Sequence, residues 1–218
     1  MLGDRFSDLG EVRQLCEAAA RQSAVVLVDE SNANYCPPAF SAANLAPDVD
    51  NLIVARGLSK AYGLGGLRLG YCVTSAATTG LVRRVVPPLQ PSSLSLRIGR
   101  RVLEVGDITE ELRSLIATNK RRTQDLLTAA GLASARPAVD HLPYIMVPDR
   151  PQAAIEHLAA HGVQGKLHPF WSAWSGEPST VGRVSVPLDS GRLVTLDRQL
   201  GRLSTAARPP VPPTPRTA

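Results

Sequence analysis

The chain has 218 residues, so its length allows one large domain or two modest ones with a buried core. Hydrophobic residues make up 44% and charged residues 20% of it, as is ordinary for soluble globular proteins. The net charge is +5, but the arginines are spread along the chain and aromatic residues reach only 4%, which argues against nucleic-acid binding.

The sequence contains no apolar run of the ~18 to 20 residues that a membrane span requires. Its start, "MLGDRFSDLG", carries acidic residues where a signal peptide would be basic and then apolar, so we expect a cytoplasmic protein. The three cysteines, Cys16, Cys36 and Cys72, are scattered and do not follow a metal-ligand or disulfide pattern. We expect no metal and reduced, packing thiols.

The first third of the chain predicts a helix followed by three strands. "SDLGEVRQLCEAAARQS" predicts a helix over 7–22 with Ser7 as its N-cap. Its apolar positions at helical spacing are Leu9, Val12, Leu15 and Cys16. The apolar runs "AVVLVDE", "NLIVARG" and "GYCVTS" predict buried strands of a parallel sheet. This order of elements favours an α/β fold with helices on both faces of a mostly parallel sheet.

The remainder predicts a smaller α+β lobe. Helical spacing in "SLRIGRRVLEVGD" and in "TEELRSLIATNKRRTQDLLTAAG" predicts two helices, the second long enough to bridge two lobes and ended by Gly131. A strand "YIMVP", a helix ending at Gly162, a strand "GRVSVPL" and a final helix follow. We expect domains at 1–95 and 96–205, and a disordered proline-rich tail at 206–218.

The segment "GLSKAYGLGGLRLGY", residues 57–71, places one amine before a glycine-rich loop that closes on an arginine. A lysine amine reacts at neutral pH when it is desolvated or held as an imine, and a crevice beyond a strand end supplies that setting. The glycines allow close approach of the backbone to a ligand, and Arg68 offers a fork suited to phosphate. The segment therefore predicts covalent amine chemistry beside a bound anion.

This segment resembles the lysine segment of the class I and II pyridoxal-phosphate aminotransferases, fold type I, and most of all the histidinol-phosphate aminotransferase group. The resemblance implies that Lys60 is the Schiff-base lysine and that Ser59 and Arg68 hold the cofactor phosphate. "AVVLVDE" is similar to the strand whose last aspartate, here Asp29, pairs with the pyridinium nitrogen and makes the ring an electron sink. "GRVSV" is similar to a late strand whose arginine, here Arg183, binds the substrate carboxylate.

The sequence departs from this family at the cofactor 3′-oxygen. The family places a tyrosine three residues after the aspartate, whereas this sequence has Asn32 there and a tyrosine only at Tyr35, so either side chain is a candidate for that contact. A second candidate region is "GKLHPFWSAW", which predicts either a substrate pocket or a packed loop. Its side chains of interest are Lys166, His168, Trp171 and Trp174.

The resemblance covers almost the whole chain but only the C-terminal half of the family, so cofactor contacts and sheet strands of the N-terminal half are missing from this sequence. It implies an aminotransferase with pyridoxal 5′-phosphate that acts on an amino acid and a keto acid, as a homodimer. Two alternatives stay open. One is a cyclase or eliminase of a modified arginine, similar to capreomycidine synthase. The other is an inactive remnant that needs an upstream complementary polypeptide.

Overall fold

The described part of the chain, taken from a computed structural model, comprises residues 8–87, 90–132, 135–137, 141–171 and 178–206. The chain divides into two compact units, Arg5–Ser114 and Leu115–Ala218. The expected domain boundary between residues 95 and 96 stays a prediction. The expected disordered tail lies outside the described residues from 207 onward.

The first unit places a small sheet beside helices. In chain order its elements are α1 (Leu9–Ala20), β1 (Val26–Asp29), β2 (Leu52–Gly57), β3 (Gly70–Thr74), α2 (Ala76–Val85) and α3 (Ser93–Val105), followed by α4 (Glu110–Ala129), which continues into the second unit. The helix α1 begins at a capping box: Asp8 accepts from the Glu11 N–H, and Glu11 reaches back to the Asp8 N–H.

The strand order of this sheet is β1-β2-β3. β1 and β2 run parallel, with Val26 opposite Leu52 and Asp29 opposite Ala55. One face of the sheet packs against α1 and the turn Ala42–Leu45. Leu52 and Val54 lie fully buried there, which contributes about 1.5 to 3 kcal/mol for each side chain. On the other face Leu27 remains 66% exposed.

The second unit is built on a four-stranded antiparallel sheet of order β4-β5-β7-β6. Beyond α4, its elements are β4 (Arg136–Pro137), β5 (Tyr144–Val147), α5 (Pro151–Ala160), β6 (Lys166–Trp171), β7 (Pro178–Ser185) and α6 (Ser190–Ala206). Alternate strand residues, such as Ile145 and Val184, pack with Leu127, Leu158 and Leu200 of the three helices into one core. The sequence prediction of a smaller α+β lobe is confirmed.

Several predicted elements are confirmed and others are wrong in detail. The helices and strands expected around α1, β1, β2, α3, α4, β5, α5, β7 and α6 are all present. Gly131 and Gly162 follow α4 and α5 with positive φ values of 88° and 78°, as helix-ending glycines do. The N-cap of α1 is Asp8 and not Ser7, and Leu15 is 56% exposed instead of buried.

The third strand is the main correction to the predicted topology. β3 runs antiparallel to β2, with Gly57 opposite Gly70, whereas the apolar run predicts a parallel strand. Parallel pairing needs a long crossover, usually a helix, and the segment between these strands folds back without one. The segment containing Lys166 is also a strand, β6, and not a loop, and α2 was missed because its threonines and Gly80 are weak helix formers.

No helix in the described ranges is both long enough and apolar enough to cross a bilayer. Within the same ranges no three His, Cys, Asp or Glu side chains gather as ligands of a metal ion would.

Candidate active site

The carboxyl ends of β1 and β2 bring two predicted site residues to the same edge of the sheet. Asp29 ends β1, and the Glu30 N–H donates to the carbonyl of Ala55 in β2 at 2.8 Å. β2 ends at Gly57, and Lys60 follows in the loop beyond it. Because parallel strands point the same way, the carboxylate and the amine both lie at the edge where α/β folds bind ligands.

The Asp29 carboxylate is held by Ser31, two residues later in the turn. Its Oδ1 accepts from the Ser31 N–H at 2.8 Å and from the Ser31 hydroxyl. These two hydrogen bonds, the hydroxyl bond first, lower the pKa of Asp29 below its ordinary value, although partial burial opposes them. The carboxylate is therefore ionised at neutral pH and can stabilise a positive charge.

The lysine loop is closed by backbone hydrogen bonds at its base and its tip. Leu58, which is fully buried, donates to the carbonyl of Leu69 at 3.4 Å and accepts from the Leu64 N–H at 3.0 Å. At the tip, the Gly63 N–H donates to the Lys60 carbonyl at 2.9 Å, and Gly63 has a φ of +68° that favours glycine. Lys60 itself is exposed on this anchored loop.

Arg68 ends the same loop in a conformation that is unusual for a side chain with a Cβ. It adopts the left-handed region, with φ 49° and ψ 38°, at the end of the 3₁₀ turn Gly65–Leu67. Its exposed guanidinium makes one long hydrogen bond, to the Gly65 carbonyl at 3.4 Å. Ser59 is also exposed and has glycine neighbours: a Cβ on Gly57 would lie 3.9 Å from its hydroxyl. This end of the loop therefore offers a cation and a hydroxyl to an anion.

The turn after β1 holds the two candidates for the 3′-oxygen contact. Asn32 has a buried side-chain oxygen, Oδ1, without a hydrogen-bond partner in the described part of the chain. Amide oxygen and nitrogen can exchange places by a flip, so this position suits either a donor or an acceptor. Tyr35 is only 8% exposed and belongs to the buried set. The side chain of Asn32 therefore has a polar atom that is available to a ligand.

Sequence reasoning missed a buried polar cluster next to these residues, formed by Glu30, Asn34, Ser41 and Arg56. Glu30 is 7% exposed and Asn34 is 4% exposed. The signals were an acid directly after Asp29 and an arginine within an apolar strand. Neither signal identifies the partner of such a group, because the hydrogen bonds join residues that are distant in sequence.

Arg183 lies in the second unit, on the face of the sheet that turns away from that unit's core. Its guanidinium carbon lies 4.5 Å from the centre of the Tyr144 ring, a cation–π contact. Lys166 pairs directly with Arg183 across β6 and β7, and His168 follows on the same face opposite Val181. Burial, and after it the charges of Arg183 and Lys166, lower the pKa of His168. Trp174 lies outside the described residues.

Comparison with solved structures places the chain in fold type I. The histidinol-phosphate aminotransferase from Sinorhizobium meliloti, solved in complex with pyridoxal-5′-phosphate, superimposes with a TM-score of 0.66 at 20% identity, over 90% of this chain and 53% of that one. The sequence profile described as aminotransferase class I and II matches residues 1–185. The chain belongs to the class I and II aminotransferase family.

Two curated relatives are named for different aminotransferase activities. Histidinol-phosphate aminotransferase 1 of Psychrobacter arcticus is 33% identical over 138 residues, 63% of this chain and 35% of the relative. The aromatic amino acid aminotransferase of Cutibacterium acnes is 29% identical over 196 residues, 88% of this chain and 51% of the relative. The chain thus spans about a third to a half of the length of these curated relatives.

Proposed function

We propose that this chain carries the lysine and substrate-binding portion of a pyridoxal-phosphate aminotransferase, which moves an amino group from an amino acid to a keto acid. The observation that carries the proposal is the placement of Asp29 and Lys60 at one edge of the parallel β1–β2 pair, in a chain of the aminotransferase family. An amine and an ionised carboxylate at one strand edge suit a cofactor with an aldehyde and a ring nitrogen.

The residues present fit pyridoxal phosphate. The cofactor supplies an aldehyde and a ring that withdraws electrons. Lys60 would hold it covalently through Nζ and then move the proton at the substrate α-carbon. The Asp29 carboxylate would keep the ring nitrogen protonated, since the hydrogen bonds from Ser31 keep this carboxylate ionised. Ser59 and Arg68 would bind the phosphate.

Asn32 is the first candidate for the contact to the cofactor 3′-oxygen, and Tyr35 is the second. The support is the buried Oδ1 of Asn32, which has no partner in the part of the chain that the structure describes. A buried amide without a partner is costly, and a bound ligand that hydrogen-bonds to it removes this cost. Tyr35 remains the second candidate because it is buried in the same turn.

The substrate anion is assigned to the outer face of the second sheet. Arg183 provides a fork for a carboxylate or phosphate, and Lys166 adds positive potential on the same face, where His168 offers a neutral imidazole. We propose histidinol phosphate and aromatic amino acids as the first donors to assay, since relatives are named for them. A homodimer is proposed as well, by resemblance to the family.

A cofactor titration of the purified chain tests this proposal. We expect a visible absorbance band that remains after free pyridoxal phosphate is removed from the chain, which is tested alone and with any complementary upstream polypeptide. Lys60→Ala removes the band because the amine is lost, and Lys60→Arg, the control that keeps the positive charge, removes it as well because a guanidinium does not replace the primary amine. A band that persists in Lys60→Ala contradicts the role of Lys60. No band under either condition supports the inactive-remnant alternative.

Product analysis separates transamination from cyclisation. With a bound cofactor and an amino donor, an aminotransferase forms the keto acid or ketone of the donor and a new amino acid from the acceptor. A cyclic or eliminated product from a modified arginine, with no amino transfer, supports the cyclase alternative instead.

A further inference from the structure

Asn34 is the central residue of the buried polar cluster in the first unit. It is 4% exposed, and every polar group of its side chain is engaged. Its Oδ1 accepts from Arg56 Nη2 at 2.6 Å, and its Nδ2 donates to the carbonyl of Gly57 at 2.8 Å. One amide therefore joins the turn after β1 to the last residue of β2.

Arg56 and Glu30 hold Asn34 in this orientation. Arg56 forms an ion pair with the Glu30 carboxylate, with Nε 3.6 Å from Oε2, and donates from Nη1 to the Ser41 hydroxyl at 3.2 Å. Glu30 in turn accepts from the Ser41 hydroxyl and from the Ala42 N–H, each at 2.6 Å. Because Arg56 is a donor only, the Asn34 oxygen must face it, which directs Nδ2 at Gly57.

A second contact fixes the backbone of Asn34 from the opposite direction. The Thr109 hydroxyl lies 3.0 Å from the Asn34 carbonyl and 2.8 Å from Asp107 Oδ1, so its one proton is shared between these two acceptors. Arg113 donates to that hydroxyl at 2.7 Å. The Asp107 carboxylate accepts from Arg113 at 2.6 Å. Thr109 is 3% exposed, so this contact is shielded from water. Both the side chain and the carbonyl of Asn34 are thus tied to elements that lie far from it in sequence.

We propose that Asn34 is a positioning residue that fixes the lysine loop relative to the turn that carries Asn32. Its Nδ2 holds the Gly57 carbonyl, and the chain passes from Gly57 through Leu58 and Ser59 to Lys60. Asn34 also lies in the turn of Asn32, so it sets the spacing between the amine and the open amide. The inference rests on the proposed function, but the loop geometry is measurable without any cofactor.

The test compares Asn34→Asp and Asn34→Ala with the parent, using Asn44→Ala as a matched control. Asn44 also donates to a backbone carbonyl, that of Pro38 at 3.0 Å, but on the surface. Asn34→Asp keeps an acceptor for Arg56, removes the donor to Gly57 and leaves a carboxylate oxygen facing the Gly57 carbonyl. It therefore breaks the one hydrogen bond that the proposal uses while Arg56 keeps its partner.

Amide hydrogen exchange is the first measurement. We expect the Leu64 N–H, which closes the lysine loop, to exchange about fivefold faster or more in Asn34→Asp, the effect of one net hydrogen bond. Exchange in α1 stays at the parent rate, as all exchange does in Asn44→Ala. An unchanged Leu64 rate in Asn34→Asp, or an equal acceleration in α1, overturns the proposal. If Asn34→Ala fails to fold, Asn34→Asp decides.

Cofactor affinity is the second measurement. Where the parent binds pyridoxal phosphate, we expect Asn34→Asp to raise the Kd about fivefold or more and to keep the Lys60-dependent absorbance band. An unchanged Kd overturns the positioning role. Where the parent shows no binding, the proposed function fails, while the exchange rates still decide whether Asn34 fixes the loop.

Discussion

Gly99 of α3 packs directly against Leu69 at the base of the lysine loop. A Cβ placed on Gly99 would overlap Leu69 Cδ2 and would lie 3.5 Å from Leu58 Cδ1. These two leucines anchor the loop, because Leu58 hydrogen-bonds to Leu69 and is fully buried. The absence of a side chain at position 99 thus allows the helix to approach the loop that presents Lys60.

Gly99→Ala is therefore expected to destabilise the chain by up to about 2 kcal/mol, the usual overpacking cost of about 1 to 3 kcal/mol less about 0.5 to 1 kcal/mol from better helix propensity. The matched control is Gly80→Ala, because a Cβ on Gly80 of α2 would meet nothing within 4 Å. That control gains about 0.5 to 1 kcal/mol from better helix propensity. Urea unfolding measures both variants. Equal effects of the two substitutions would contradict close packing at Gly99.

Asp107→Asn is expected to reduce stability at pH 7 by about 1 kcal/mol, after allowance for solvent screening. Hydrogen bonds from Arg113 and then from Thr109, opposed by partial burial, hold the pKa of Asp107 below its ordinary value of 3.8. A lowered folded pKa contributes stability above the unfolded value and loses it as the pH falls further. The difference between parent and variant should therefore shrink below about pH 4.

The control for this pH dependence is Asp48→Asn. Asp48 pairs with Arg13 at 4.0 Å, and their side chains are 71% and 44% exposed. An exposed ion pair contributes little to the free energy of unfolding, so Asp48→Asn should unfold like the parent both at pH 7 and below about pH 4. A parent–Asp107→Asn difference that grows on acidification would show that the carboxylate of Asp107 is not the stabilising form.

Thiol labelling of the folded chain is expected to modify one cysteine rapidly. Cys72 is exposed, whereas Cys16 and Cys36 are buried. Burial, followed by the Glu30 charge, raises the pKa of Cys36 to about 11, so only about one in a thousand of its thiols ionises at pH 8. A disulfide reagent should therefore modify Cys72 rapidly in the folded chain and the other two only on unfolding. In Cys72→Ser the rapid phase should disappear.

Lys166→Thr is expected to increase stability and to weaken anion binding. Lys166 lies directly opposite Arg183, and like charges at such a position destabilise a strand pair. Threonine removes the repulsion and suits a strand, so unfolding should require about 0.5 kcal/mol more. Phosphate binding, measured by calorimetry, should weaken because a cation is lost. Lys166→Arg keeps the charge and should retain both properties, whereas tighter phosphate binding by Lys166→Thr would contradict an anion site here.

The sequence could predict the positions of Asp29 and Lys60 because strand ends follow from continuous apolar runs that stop at polar residues. It could not predict that β3 returns antiparallel, because an apolar run carries no direction and the reversal depends on how the loop around Leu58 closes. Nor could it predict that Asn34 faces Arg56, since this bond joins residues separated by 22 positions. Both misses concern tertiary pairing and not local propensity.

The exposed face of β1 has a practical consequence for anyone who handles the chain. Leu27 is 66% exposed on an outer strand of the first sheet, next to backbone groups that β2 does not pair within the described ranges. An apolar side chain beside an open strand edge is a template on which further strands can add. Aggregation should therefore increase steeply with protein concentration, and Leu27→Lys should raise the concentration at which light scattering first appears.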